Sequence, residues 1–237
     1  MNYQGKKKAL TFSFDDGVTQ DKRLISILDK YGLKATFNLN SSLLGQKGCL
    51  EVNGKMIHHD KVFPSEVKSL YANHEVAVHT LTHPFLPDQE EETIAYQVNE
   101  DKKTLELLSG QKINGMAYPC GGKNNDDRVA DVIARKTEMK FARTITSTLR
   151  FDLQKNLLRF DPTVHFVQVK ELFALADEFL SAEPDHEILF YVWGHSYELD
   201  IENSLGWEGF EEFCKKVSGK KDIFYCTNSE ALLSFSK

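Results

Sequence analysis

The sequence predicts an α/β fold with a barrel-like sheet of about seven strands. Apolar runs of strand length alternate with segments of helical periodicity along the whole chain. A strand, a helix and a second strand follow one another within the first forty residues, which is typical of parallel strands joined by crossover helices. Polar, chemically reactive side chains recur where four predicted strands end, and barrel enzymes place their sites at such strand ends.

The first predicted strand, residues 9–14, alternates apolar side chains and stops at Asp15-Asp16-Gly17. Such an end presents two acids at the edge of a sheet, where α/β folds bind ligands. Adjacent side chains of an extended chain point in opposite directions, so the chain must turn at Gly17 if both acids serve one site. Taken alone, the stretch indicates only a strand followed by a polar turn.

A helix and a second strand complete this first unit. Residues 21–31 place apolar side chains on one helical face, and Gly32 follows as the expected C-cap. Residues 34–39 are again strand-like. The β-α-β order predicts that the two strands run parallel in one sheet.

Residues 41–63 form a polar, glycine-dotted segment without periodicity. It is long for a structureless loop, so a binding or lid role is expected. The pair His58 and His59, followed by Asp60, could reach a metal ion from such a loop. A solvated surface position is the favoured interpretation of this pair.

The middle of the chain predicts three helices and three strands. The long helix is the clearest, because Ile94, Val98, Leu105 and Leu108 share one face and Gly110 ends it. In order, the elements are a helix at 65–71 with Ser65 as N-cap, a strand at 75–78, the long helix, a strand at 113–118, a helix around 129–133 and a strand at 140–145.

The last third shows an irregular segment and then regular alternation again. After residues 146–165, the pattern predicts a helix at 169–180, a very apolar strand at 187–193, a helix at 207–217, a strand at 223–225 and a closing helix at 229–235. No linker, repeat or low-complexity segment interrupts the chain. We therefore expect a single catalytic domain over residues 1–237.

Composition and charge exclude several classes of partner. The chain has 237 residues and a formal net charge of −6, with no basic stripe for a nucleic acid. No run approaches the roughly 18 apolar residues of a membrane-spanning helix, so no membrane partner is expected. The first five residues resemble no signal peptide, which predicts a cytoplasmic protein. The four cysteines are scattered without a CxxC pair and are expected to be reduced thiols.

The candidate site is predicted from four strand ends that should meet on one face. Asp15 and Asp16 end the first strand, His79 and His83 follow the third, residues 118–121 follow the fourth and His195 follows the sixth. The spacing of the two histidines would let both imidazoles face one ion if they stood on a helical turn. Such a pair also arises by chance, and its position after a buried strand is what favours a site.

These residues supply the parts of a catalytic metal centre. Two imidazoles and one carboxylate leave open coordination positions, so Asp16, His79 and His83 are candidate ligands. A second carboxylate, Asp15, could then take a proton from an activated water. His195 could donate a proton to a leaving group, although by itself it is more often a buried core histidine.

Four segments resemble motifs of the polysaccharide deacetylases of carbohydrate esterase family four. Thr-Phe-Ser-Phe-Asp-Asp-Gly at 11–17 resembles the first motif, and His-Thr-Leu-Thr-His at 79–83 matches the second. Tyr-Pro-Cys-Gly at 118–121 resembles the third, and Leu-Phe-Tyr-Val-Trp-Gly-His at 189–195 resembles the fifth. The segments stand in family order, and the first two together are specific.

The resemblance implies a distorted (β/α) barrel that binds a divalent metal ion, with Zn²⁺ the expected one. It implies hydrolysis of an N- or O-linked acetyl group on a sugar or oligosaccharide, with Asp15 as base and His195 as acid. Backbone N–H groups near Tyr118 would polarise the oxyanion. By the same resemblance, the metal ligands are Asp16, His79 and His83, and the expected substrate-binding residues are Tyr118, Pro119, Cys120, Gly121 and Trp193.

The sequence also departs from the family pattern. The third motif usually carries an Arg two residues before its proline, and Ala117 stands there. The candidates to replace that Arg are Arg143, Arg150 and Arg159. Cys120 replaces the usual aromatic residue, and Ser196 replaces the acidic residue after the acid histidine. The candidates to orient His195 are Glu198 and Asp161, and residues 161–165 could occupy the place of the fourth motif.

Two alternative functions remain open at this point. One is hydrolysis of another small or cyclic amide with the same chemistry. The other is a sugar-binding protein of the same fold without catalysis, which the missing Arg favours. Trp193, Tyr197 and Trp207 could stack on sugar rings, although core packing is the commoner use of aromatic side chains. No particular oligomeric state is indicated.

Overall fold

A computed structural model describes residues 3–235, so the two residues at each end of the predicted domain lie outside it. The chain alternates strands and helices, as predicted. The strands are β1 Lys8–Asp15, β2 Ala35–Leu39, β3 Cys49–Val52, β4 Lys55–His58, β5 Glu75–Val78, β6 Gly115–Ala117, β7 Phe141–Arg143, β8 Val164–His165, β9 Ile188–Gly194 and β10 Ile223–Tyr225. The α-helices are α1 Asp21–Lys30, α2 Val67–Leu70, α3 Glu91–Ser109, α4 Asp127–Lys136, α5 Val169–Ser181, α6 Gly206–Val217 and α7 Asn228–Leu232.

Parallel pairing joins the main sheet in the order β7-β6-β5-β2-β1-β9-β8, and β10 pairs with the start of β1. The two edges come together through the segment that precedes and includes β8. Phe160 forms a parallel bridge with Arg143, and the N–H of Phe160 donates to the carbonyl oxygen of Ala142 at 2.9 Å. A few residues later, β8 pairs with β9. The predicted distorted (β/α) barrel is confirmed.

The side chains of β1 explain why it lies in the middle of the sheet. All eight of its residues are buried. Phe12 and Phe14 pack against the helix layer, where each lies edge-on to Phe210 of α6. The alternate positions, Thr11 and Ser13, point the other way and make hydrogen bonds with polar side chains. This alternation separates an apolar outer layer from a polar barrel interior.

Helix α7 closes the barrel at the amino ends of the strands. The Thr11 hydroxyl donates to the side-chain oxygen of Asn228 at 2.9 Å. The side-chain amide nitrogen of Asn228 donates to the hydroxyl of Tyr191. The backbone N–H of Asn228 donates to the Thr36 hydroxyl at 2.9 Å. Asn228 is fully buried, and these bonds satisfy polar groups that water cannot reach.

The segment at 41–63 is more regular than the sequence indicated. It contains a 3₁₀ turn at Ser41–Leu43 and the antiparallel hairpin β3–β4. The hairpin turns at Asn53-Gly54, where both residues have positive φ. Asn-Gly is the strongest short signal for such a turn, because both central residues must adopt the left-handed conformation. The expectation of a segment without regular elements was therefore wrong.

Other element boundaries also differ from prediction. Ser65 is not an N-cap, because it lies inside a 3₁₀ turn, Pro64–Glu66, that precedes the short α2. The predicted strands at 113–118 and 140–145 shorten to three residues each. No helix within residues 3–235 is long and apolar enough to cross a membrane. The four cysteines all lie within these residues, and none forms a disulfide.

Candidate metal and catalytic site

The first two acids share one cavity at the carboxyl end of β1. Asp15 is the last residue of the strand, and Asp16 follows it. The two carboxylates line a cavity of about 610 Å³. Asp16 has a φ of +80° and Gly17 has a φ of +60°, so the chain turns directly after the strand. The turn that the sequence required is thus present, and it begins at Asp16 itself.

Asp16, His79 and His83 form a group that could hold a metal ion. Oδ1 of Asp16 lies 3.7 Å from Nε2 of His83 and 3.9 Å from Nε2 of His79. Burial lowers the pKa of His79 to about 4 and also lowers the pKa of His83, so both imidazoles are neutral at pH 7. Burial raises the pKa of Asp16, but the hydrogen bond from His59 and nearby positive charges outweigh it and hold the pKa well below its usual value.

This donor set fits a catalytic zinc site. Two neutral imidazoles and one ionised carboxylate are common zinc ligands, and three protein ligands leave a position for water. Nδ1 of His79 lies 3.0 Å from the carbonyl oxygen of Ala117. A carbonyl only accepts, so Nδ1 carries the proton and Nε2 presents its lone pair toward Asp16. The His79 ring is therefore prepared for metal binding by its own tautomer.

The histidine pair does not stand on a helical turn, and that expectation was wrong. Residues 79–83 form an irregular loop after β5, with positive φ at Thr80 and His83. The loop is held by backbone groups, since the N–H of His79 donates to the carbonyl of Leu39 at 2.9 Å and lies 3.2 Å from Oδ2 of Asp101. The two imidazole rings nevertheless meet, with centroids 4.9 Å apart.

Arg143 takes the place of the Arg that the third motif lacks. Its guanidinium donates to both carboxylate oxygens of Asp15, one of them at 2.6 Å. Arg143 pairs with Ala117 in the sheet register, so the cation comes from the adjacent strand. Burial raises the pKa of Asp15, but the charge and hydrogen bond of Arg143, together with the nearby His79 and His195, outweigh burial and hold the pKa below its usual value. Arg159 instead pairs with Asp127 outside the cavity.

Glu198 is the partner of His195, on the 3₁₀ turn Ser196–Asp200 that follows β9. The backbone N–H of His195 donates to Oε2 of Glu198 at 2.8 Å, and Nδ1 lies 3.3 Å from the same oxygen. Burial lowers the pKa of His195, but the carboxylates of Glu198, Asp16 and Asp15 outweigh it and raise the pKa to about 9. Asp161, the other candidate, bonds to the Thr144 hydroxyl instead.

Comparison with known proteins identifies the family of this chain. A sequence profile described as polysaccharide deacetylase matches residues 2–142, more than half of the 237 residues. The chain belongs to the polysaccharide deacetylase family. The match contains the first three motifs, whereas His195 and Glu198 lie beyond it. A search of curated proteins finds no match.

Solved structures of the family share the fold at low identity. A mutant of the peptidoglycan deacetylase PdaC from Bacillus subtilis has a TM-score of 0.59 and 17% identity, over 97% of this chain and 92% of that one. The Streptococcus pyogenes deacetylase PplD in complex with acetate has a TM-score of 0.52 and 22% identity, over 63% of this chain and 61% of that one. A family pseudoenzyme from Bacillus anthracis has a TM-score of 0.56 and 18% identity, over 96% of this chain and 66% of that one.

The Glu198 carboxylate should influence the pH at which the rate falls on the alkaline side. His195 is the candidate proton donor and must be protonated in that role, so we expect the rate to fall as pH rises through its pKa. Glu198→Gln removes a negative charge next to the imidazole and should move this alkaline limb to lower pH by at least about one unit. A bound cation lowers the pKa of His195 in both proteins and leaves the direction of the difference unchanged. The measurement is the pH profile of kcat.

Glu178→Gln is the matched control for this experiment, because Glu178 is exposed on α5 and outside the cavity. Its pH profile should superimpose on that of the unaltered protein. An alkaline limb that stays in place after Glu198→Gln would contradict the assigned role of Glu198.

The expected substrate-binding residues divide into two groups. Tyr118, Cys120, Gly121 and Trp193 line the cavity, whereas Pro119 does not. The N–H of Tyr118 is used in the sheet, where it donates to the carbonyl of Arg143 at 3.0 Å. The N–H of Cys120, 3.4 Å from Nε2 of His83, is instead the one directed at the candidate metal group.

Tyr197 lines the cavity, and Trp207 is absent from its lining. The indole N–H of Trp207 donates to Asp200 at 2.7 Å, and the guanidinium of Arg23 lies 4.5 Å from its ring. Trp207 therefore has partners of its own and is not available to a sugar in the cavity.

His59 and Lys61 both line the cavity. The sequence did not indicate Lys61, and it favoured a surface position for His59 over a place at a metal site. The His59 side chain is only 17% exposed and lies 3.1 Å from Asp16, so its expected surface position was wrong. His58 is exposed, as expected. The Asn53-Gly54 pair was the signal in the sequence that could have placed these two residues, because it predicts a hairpin that returns the chain toward β1.

Proposed function

We propose that this protein is a metal-dependent hydrolase that removes N- or O-linked acetyl groups from a carbohydrate, with Zn²⁺ as the metal. Membership of the polysaccharide deacetylase family supports a hydrolase that removes acetyl groups. One observation carries the proposal furthest: Asp15, the Asp16-His79-His83 group and His195 line one cavity. Arg143 pairs with Asp15, and Glu198 pairs with His195. We extend the proposal to a single catalytic domain over residues 1–237.

Each part of the site has a role in this reaction. Asp16, His79 and His83 would hold the divalent ion, which would supply Lewis-acid activation of the water and the acetyl carbonyl. Asp15 accepts the proton of the attacking water, and Arg143 keeps its carboxylate ionised and oriented for that transfer. His195 returns a proton to the departing amine or hydroxyl.

The remaining cavity groups would bind and orient the substrate. The backbone N–H of Cys120 is placed to donate to the oxygen that becomes negatively charged during attack. Tyr197 offers aromatic surface to a sugar ring. Trp193 lines the same cavity, but it is buried and its ring packs against Arg143 and His165, so it shapes the wall of the cavity. The cavity volume of about 610 Å³ lies within the range of small-molecule sites.

The two alternatives differ in their support. The sugar-binding alternative rested on the missing Arg, and the Arg143–Asp15 ion pair removes that reason. Within residues 3–235, no structural feature favours another small or cyclic amide over an acetylated sugar. Deacetylation of a carbohydrate is therefore the function that the site supports best.

The decisive experiment couples metal analysis to acetate release from a panel of acetylated oligosaccharides and simple amides. We expect one divalent ion per chain, acetate from at least one acetylated sugar, loss of activity with a chelator and recovery with Zn²⁺. Sugar binding without acetate release from any compound would favour the binding protein. Release from simple amides alone would favour the other hydrolase.

A further inference from the structure

Residues 59–62 follow β4 and form the return arm of the β3–β4 hairpin. This arm makes backbone hydrogen bonds with the chain that carries Asp16. Lys61 forms an antiparallel bridge with Val18. The N–H of Val62 donates to the carbonyl of Gly17 at 2.9 Å, and the N–H of Thr19 donates to the carbonyl of Asp60 at 2.8 Å. The arm thus pairs with the residues that immediately follow Asp16.

Lys61 holds the backbone of Asp16. Its ammonium donates to the carbonyl oxygen of Asp16 at 2.9 Å and lies 3.5 Å from Oδ1. The Lys61 side chain is only 7% exposed, so these contacts are shielded from water. The positive φ of Asp16 is costly for a residue with a side chain and persists only when neighbouring groups fix it. The Lys61 ammonium is one such group.

His59 holds the carboxylate of the same residue. Nε2 of His59 lies 3.1 Å from Oδ2 of Asp16. An ionised carboxylate only accepts hydrogen bonds, so the proton is on Nε2 of His59. The imidazole is fixed in turn by Tyr197, whose ring lies edge-on with centroids 4.9 Å apart. With Oδ2 engaged by His59, the other oxygen, Oδ1, is the one nearest Nε2 of His83.

We propose that His59 and Lys61 are positioning residues of the metal centre, which set the backbone and the carboxylate orientation of Asp16. The inference rests on the proposed metal site at Asp16, His79 and His83. His59 bonds Oδ2 of Asp16, whereas Oδ1 is the oxygen paired with His83, and the candidate metal group does not include His59. His59 therefore acts through Asp16 rather than as a ligand. Neither residue belongs to the motifs that identify the family.

His59→Phe is the decisive variant, because phenylalanine retains a ring against Tyr197 and removes the N–H donor. The readout is zinc affinity, measured on metal-stripped protein by competition with a chromogenic chelator. Loss of an outer partner of a metal ligand typically weakens binding by roughly 10- to 100-fold, and we expect a loss in this range. The zinc-induced rise in Tm should shrink in parallel. His58→Phe, on the exposed neighbour, should match the unaltered protein.

Two further variants separate positioning from folding. His59→Gln restores an N–H donor and should recover most of the zinc affinity that His59→Phe loses. Lys61→Met keeps the aliphatic stem and should also weaken zinc binding, with circular dichroism reporting the fold. If either His59→Phe or Lys61→Met fails to fold, the comparison of His59→Ala with His59→Gln decides the question in the same way.

The outcomes distinguish this inference from the function on which it rests. If the unaltered protein binds no divalent ion, the proposed metal site itself is wrong. If the unaltered protein binds zinc and His59→Phe binds it equally well, the metal site stands and the positioning role is overturned. Weak binding by both His59→Phe and His59→Gln would also contradict a role that depends on the donor.

Discussion

His79→Ala is expected to remove both the bound metal and the hydrolytic activity. His79 is almost fully buried, and its Nδ1 is tied to the Ala117 carbonyl. Alanine deletes a proposed metal ligand, so the loss of affinity should exceed the roughly 10- to 100-fold that is typical for an outer partner. The measurements are metal content per chain after dialysis and acetate release under zinc-replete conditions.

His186→Ala is the matched control, because the His186 side chain is 63% exposed and pairs with the exposed Asp185. It should retain both metal and activity. Urea unfolding of both variants checks that the loss is local, since His79→Ala also leaves a small cavity in the structure. Equal metal content in His79→Ala and the unaltered protein would overturn the ligand assignment.

Asp15→Asn is expected to retain the metal and lose turnover. Asp15 carries the proposed base, and removal of a positioned general base typically costs about 10²- to 10⁴-fold in rate. The three candidate ligands are untouched, so zinc affinity should change far less than kcat. Acetate release in single-turnover conditions and metal content on the same sample provide the comparison.

Stability is a separate consequence of Asp15→Asn, because Arg143 would remain buried with a weakened partner. Breaking a buried ion pair by removing one charge costs about 3–5 kcal/mol, so the variant should unfold at lower urea concentration. The double variant Asp15→Asn/Arg143→Met removes both charges and should regain stability without regaining turnover. Normal turnover in Asp15→Asn would show that the base lies elsewhere.

The β-α alternation and the meeting of strand ends could be predicted from the sequence, because they depend on local periodicity. The role of Arg143 as the cation beside Asp15 could not be predicted, because it depends on the register between β6 and β7. Only the pairing of Ala117 with Arg143 shows that the cation comes from one strand further along. The sequence analysis could therefore name Arg143 only as one of three candidates.

The histidine pair illustrates a second limit. A spacing of four residues suggests a helical turn, but positive φ at Thr80 and His83 produces the same convergence in a loop. Neither residue is glycine, so nothing local signals the left-handed conformation. The backbone is fixed instead by distant groups, including the carbonyl of Leu39 and the carboxylate of Asp101. Such tertiary constraints leave no trace in sequence periodicity.

Helix α7 also affects the strength of the ion pair between Asp15 and Arg143. The hydrogen bond between Thr11 and Asn228 closes the barrel at the amino ends of the strands. Ser13, two residues further along β1, accepts a hydrogen bond from Nε of Arg143 at 3.2 Å. A sealed interior keeps the effective dielectric constant low around the Asp15–Arg143 pair, and Coulomb attraction grows as that constant falls. Entry of water around Asn228 and Thr11 would therefore weaken the ion pair between Arg143 and Asp15, although neither of those two residues belongs to the pair.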